Sequence, residues 1–190
     1  FSVKSLSNLS VLKLLKEVGC GFDVVSGGEM HRALSIGADP KSIIFSGVGK
    51  SSDEIKQGIL NKILSFNVES VSELYKIEAI AKKLQMNASV SIRFNPDIDS
   101  GGHDYITTGR KGDKFGISSI EDILNLSTYI SESPNLNMVG LACHIGSQII
   151  NLLSYKETAQ RTFELADQIS SVGVELEFLD LGGGLGVSYD

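Results

Sequence analysis

Apolar residues recur along this chain in two alternating rhythms, short dense runs and longer stretches at helical spacing. Leu9, Val11, Leu12, Leu14, Leu15 and Val18 predict a helix over 9–18, stopped by Gly19 and Gly21. The runs at 22–26, 42–47 and 63–68 are rich in Val, Ile and Phe and predict strands. Between them, 28–36 and 53–60 carry helical spacing. Val71, Leu74, Ile77, Ala81 and Leu84 mark an amphipathic helix, and 88–95 alternates as a strand ended by Pro96. Helices over 120–130 and 155–172 and strands over 138–145 and 176–181 complete the series, and Ser2-Val3-Lys4 reads as the end of a first strand. Between Asp97 and Gly116 lies a long polar loop, and a loop of that length in a compact domain is usually functional.

Helix starts carry a chemical signature as well. Ser51/Glu54, Ser70/Glu73, Ser118/Glu121 and Ser154/Glu157 each have the Ser-x-x-Glu spacing of a capping box. Uninterrupted alternation of strand and helix implies a parallel sheet with right-handed crossovers in one α/β domain over 1–190. A doubly wound open sheet and a (β/α) barrel both satisfy that order. Polar groups at nearly every strand's carboxyl end (Lys4, Ser26, Ser46, Asn67, Asn95, His144, Gly182) favour the barrel, whose strand ends share one rim. Seven strands are expected here, against the eight of a closed barrel. With the abrupt start at Phe1 and the end just after a glycine loop, that count implies a barrel truncated at both ends.

Composition narrows the partners. The 190 residues are 42% hydrophobic and 21% charged, with a net charge of −6, which fits a soluble globular protein. No Lys/Arg cluster offers a track for nucleic acid, and no apolar run approaches the ~18 residues of a membrane span. Cys20 and Cys143 match neither a metal spacing nor a disulfide framework and read as reduced thiols, which points to the cytoplasm. No metal site is expected.

Candidate chemistry sits at the strand ends. Gly182-Gly183-Gly184 follows an apolar run and reads either as a flexible turn or as a nest of amides for a phosphate. Lys4 is either a solvated lysine or a desolvated rim nucleophile. His144, in Cys143-His144-Ile145-Gly146-Ser147-Gln148, is either a core histidine or a site residue, whereas adjacent Cys143 points to the opposite face and reads as packing. Arg93 lies in an apolar strand and needs a partner, from a structural ion pair or a barrel interior. Asp23 could orient a neighbour or bond a turn. Glu29 reads first as a helix cap, His103 as a solvated or lid residue, and Phe115 as a buried anchor. A rim lysine with a phosphate cup suggests a phosphorylated carbonyl ligand, a sugar phosphate or pyridoxal phosphate.

These blocks together resemble the diaminopimelate decarboxylases, in the fold-type group shared with ornithine decarboxylase and alanine racemase. The resemblance runs from Phe1-Ser2-Val3-Lys4 through Phe22–Glu29, Phe45–Lys50, Phe66–Ser70, Arg93–Asp97, His103–Gly109 with Lys114-Phe115-Gly116, and His144–Gln148 to Asp180–Gly184. It implies a TIM-type barrel that binds pyridoxal 5'-phosphate and serves decarboxylation of meso-2,6-diaminopimelate at its D-centre to L-lysine. Lys4 would carry the cofactor, His144 would stack on its ring, and Ser147 with Gly182, Gly183 and Gly184 would bind its phosphate. Arg93 and Asp23 would line the pocket, with Glu29 on its fringe. Phe1, Ser5-Leu6 and Gly102 depart from the family's usual Tyr, Ala-Asn and Thr. The family's eighth-strand Glu-Pro-Gly-Arg segment and its C-terminal β-domain, which completes the site across a homodimer, have no counterpart here, so the activity is expected of an intact parent protein. A noncatalytic pyridoxal-phosphate barrel and a decarboxylase for arginine, ornithine or carboxynorspermidine are the alternatives.

Overall fold

The computed structural model describes residues 1–98 and 115–187. The chain divides into two compact units, Phe1–Val90 with Ser133–Asn137, and Ser91–Glu132 with Met138–Asp190. The first unit runs α1 (Leu9–Glu17), β1 (Phe22–Val24), α2 (Gly27–Ser35), β2 (Ile43–Phe45), α3 (Ser52–Asn61), β3 (Ser65–Val68) and α4 (Val71–Leu84), and β4 (Ala88–Arg93) begins in it. The second contains α5 (Ile120–Glu132), most of β5 (Leu136–Ala142), α6 (Leu152–Ser171) and β6 (Phe178–Asp180).

In the first unit the alternation of the strands decides which side chains meet the helices. Phe22 and Val24 pair in parallel with Ile43 and Phe45, and Phe45 pairs with Phe66. These residues are buried together with Leu12, Ile55 and Leu74 from the helices. The rings of Phe45 and Phe66 stack with centroids 6.1 Å apart. A glycine on α3 makes room for that stack, because a Cβ on Gly58 would lie 2.4 Å from the Phe66 ring. In the second unit Gly140, Leu141 and Ala142 pair in parallel with Phe178, Leu179 and Asp180. Gly140 is again a close-approach glycine, with the Phe178 ring 2.5 Å from where its Cβ would be.

The strands hydrogen-bond in chain order, β1-β2-β3-β4-β5-β6. A doubly wound sheet reverses its order at a switch point, whereas a sequential order is that of a barrel wall. The fold is therefore α/β, an incomplete parallel (β/α) barrel. The first expected strand is reduced to a single parallel bridge, Ser2 to Asp23, followed by a 3-10 turn at Val3–Ser5. The remaining six strands fall where the apolar runs predict them, most of them shorter.

The caps correct the sequence reading in part. Ser51 and Glu54 form a complete capping box. Ser70 accepts from Glu73 N, but the Glu73 carboxylate turns to Glu69 N instead of the cap. At α5 the cap is one residue later than expected, with Ser119 Oγ accepting from Asp122 N. Ser154 is no cap at all: α6 starts earlier, capped by Asn151, and buries Ser154. Among the described residues, no helix is long and apolar enough to cross a membrane.

Candidate functional site

In the first unit, Lys4 and Asp23 stand at neighbouring strand ends. Lys4 is exposed in the 3-10 turn that follows the Ser2 bridge. Asp23 Oδ2 accepts from Ser2 Oγ at 3.0 Å, while Asp23 Oδ1 is buried and has no hydrogen-bond partner among the described residues. A buried carboxylate oxygen left unpaired is costly. At Glu29 half of the capping box forms: Ser26 is the cap and its Oγ accepts from Glu29 N, but the Glu29 carboxylate accepts from Val25 N at 2.9 Å instead of from the cap.

The second unit brings most of the expected site together. The glycine loop leaves β6 with Gly182 at φ +74° and Gly184 at φ +93°, both in the left-handed region that favours glycine. Gly182 N donates to Asp180 Oδ1 at 2.7 Å, which turns the chain sharply at the strand end. A Cβ on Gly182 would lie 2.6 Å from Cys143 O and 2.8 Å from His144 Nδ1, so the absence of a side chain lets the histidine ring lie directly on the loop. A Cβ on Gly184 would lie 1.9 Å from Gly146 O and 3.2 Å from Ser147 Cα. The loop is thus pressed edge-on against 143–147, and Ser147, His144, Gly182 and Gly184 converge. A Cβ on Gly183, by contrast, would meet nothing within 4 Å.

The amides of this loop divide into used and available. Gly182 and Gly186 N–H are bonded to Asp180 and Ile149, and Val187 N–H to Gln148 Oε1. Among the described residues, the N–H groups of Gly183, Gly184 and Leu185 have no acceptor. Three amides without partners on a left-handed glycine turn form a nest suited to an anion.

Arg93, at the end of β4, lies over the Phe115 ring, 5.2 Å from its centroid. Phe115 is half-buried, not the buried anchor expected, and the guanidinium covers one face of its ring. Cys143 is packing, as its position predicts. Burial pushes its thiol up to about 12, and its Sγ lies 3.7 Å from Thr162 Oγ1. His103 and Lys114 lie outside the described residues. Two contributors have no signature in the sequence. Tyr155, at the start of α6, donates its hydroxyl to Gly183 O at 3.0 Å. Lys50 Nζ reaches Gly47 O, Asn67 O and Glu73 Oε1 at the carboxyl ends of β2 and β3.

The family model for the pyridoxal-binding domain of the pyridoxal-dependent decarboxylases matches residues 1–190. The chain belongs to that family. As a pyridoxal-binding domain it is 44% identical over 189 residues to a diaminopimelate decarboxylase of Neisseria meningitidis serogroup A, covering 100% of this chain and 46% of the relative. It is 45% identical over 190 residues to the diaminopimelate decarboxylase of Helicobacter pylori, covering 100% of the chain and 47% of the relative. The crystal structure of diaminopimelate decarboxylase from Helicobacter pylori complexed with L-lysine superposes with a TM-score of 0.97 at 44% identity, over 100% of this chain and 48% of that one. The chain therefore spans about half the length of the relatives it matches.

The residues of this pyridoxal-binding domain fit pyridoxal phosphate. A phosphate needs N–H donors, and the second unit holds three available amides on a loop that packs against the backbone of Gly146 and Ser147. The imidazole against that loop offers a flat surface, and within the first unit, taken by itself, Asp23 Oδ1 is a buried acceptor.

Proposed function

We propose that residues 1–190 are the cofactor-binding barrel domain of a pyridoxal-phosphate decarboxylase that converts meso-2,6-diaminopimelate to L-lysine and CO2. The observation that carries this reading is the 44–45% identity, over the whole chain, to relatives named for that activity. When bound, the cofactor supplies an electron sink for the pair released as CO2 leaves the α-carbon. The chain's own groups bind and orient. Lys4 Nζ would be the amine that holds the cofactor. Gly182, Gly183, Gly184 and Ser147 take the phosphate. His144 supports the ring face, and Arg93 and Asp23 line the pocket.

The intact parent is read as a cytoplasmic homodimer acting on a small amino acid, with neither nucleic acid nor membrane as partner. A substrate panel on the full-length protein tests the activity. Release of CO2 and L-lysine from meso-diaminopimelate in preference to arginine, ornithine or carboxynorspermidine supports it. Preference for a diamine-forming substrate overturns it.

A further inference from the structure

The glycine loop is held from the side of α6 by a hydroxyl that the family assignment does not account for. Tyr155 Oη donates to Gly183 O at 3.0 Å. Its ring packs against Ile98, Ile145 and Ile149, a buried cluster that leaves it little freedom. Burial raises the phenol above its ordinary value, so it stays protonated and donates across the neutral range.

In a trans peptide the carbonyl and the following N–H point to opposite sides. Fixing Gly183 O toward Tyr155 therefore turns Gly184 N–H away from it. The next peptide is fixed in the same way, with Gly184 O accepting from Ile149 N at 2.8 Å, which sets Leu185 N–H. Of the two anchors, the backbone one comes with the fold. The side-chain one does not, and it acts on Gly183, where a Cβ would meet nothing within 4 Å, although Gly184 on the far side of that peptide packs against Gly146 O. Glycine on both sides leaves that peptide more backbone freedom than side chains would allow.

We propose that Tyr155 is a positioning residue for the cofactor phosphate, its hydroxyl holding the Gly183–Gly184 peptide so that the Gly184 amide stays aimed at the bound anion. This rests on the reading that the glycine loop takes the phosphate. Preorganising a donor lowers the ordering cost paid on binding.

The test uses the apo form of the full-length protein and two ligands, pyridoxal phosphate and pyridoxal, which differ only in the phosphate. Dissociation constants are measured for wild type and Tyr155→Phe, which keeps the ring and its packing. Wild type is expected to prefer the phosphorylated ligand strongly. Tyr155→Phe is expected to lose about three- to tenfold of that preference, the worth of one neutral hydrogen bond, with pyridoxal affinity unchanged. The phosphorus resonance of the bound ligand should shift in the variant. Taking the ratio within each protein cancels any loss of folded fraction. An unchanged preference, or equal weakening of both ligands, overturns the role of Tyr155. Absence of any preference in wild type instead overturns the phosphate reading of the loop, and the proposal falls with it.

Discussion

Lys50 Nζ lies 3.0 Å from Glu73 Oε1, with the two side chains 1% and 10% exposed. The ammonium also donates to Gly47 O and Asn67 O, each at 2.8 Å, and sits 5.9 Å from the centre of the Phe45 ring. Glu73 Oε2 accepts from Glu69 N at 2.7 Å. One buried pair thus ties the carboxyl ends of β2 and β3 to the first turn of α4, at the end of the strands where a barrel does its chemistry.

Removing one member leaves the other charged and buried. Lys50→Met is expected to destabilise the full-length protein by about 3–5 kcal/mol in denaturant unfolding. The double variant Lys50→Met/Glu73→Leu should recover part of that loss, because it removes the stranded carboxylate as well.

Glu54 carries a pH signature. The backbone N–H of Gly27 and then that of Ser51 bond its carboxylate and hold it below the ordinary carboxylate value, despite an opposing effect of burial. A carboxyl depressed in the folded state stabilises above its unfolded value and loses that contribution as pH falls through the folded one. Melting temperature should therefore fall less steeply in Glu54→Gln than in wild type on acidification below about pH 4.5. Equal slopes would contradict the role of Glu54.

The same box shows what was legible in the sequence. Ser51/Glu54 follows a glycine-bounded strand and begins a clean helical period, so spacing and structure agree. Ser154/Glu157 has the same spacing but lies inside α6. There the Ser154 carbonyl accepts from Thr158 Oγ1, and Glu157 pairs with Arg161 on the surface. A four-residue pattern cannot report which of two polar residues, Asn151 or Ser154, begins the helix. The strand and helix positions and the glycine loop were legible because period and glycine placement are local properties. Tyr155 and Lys50 were not, since a tyrosine in a helix and a lysine after a strand look ordinary until the tertiary fold delivers Gly183 O and Glu73 to them.

The two cysteines should part company chemically. Cys143 is buried, with its thiol pushed up to about 12, whereas Cys20 is half-buried. At pH 8 the Cys143 thiol is neutral and shielded, and a neutral thiol is a poor nucleophile. Peptide mapping after brief iodoacetamide treatment of the native protein should find Cys20 modified and Cys143 intact, with both modified after denaturation.

Within the glycine loop the three positions should respond differently to alanine. Gly182→Ala and Gly184→Ala place a Cβ 2.6 Å and 1.9 Å from backbone oxygens at positive φ, and each should cost at least about 1–3 kcal/mol. Gly183→Ala meets nothing within 4 Å and should leave apo stability within about 0.5 kcal/mol of wild type. Thermal unfolding of the three apo variants checks the order.

On the function proposed above, Lys4 carries pyridoxal phosphate. Borohydride reduction of the cofactor-loaded full-length protein, followed by proteolysis and mass spectrometry, locates the attached amine directly. A pyridoxyl adduct is expected on the peptide containing Lys4, and it should be lost in Lys4→Ala together with the cofactor's visible absorbance band. An adduct on another lysine, or a band and turnover unchanged in Lys4→Ala, would contradict it.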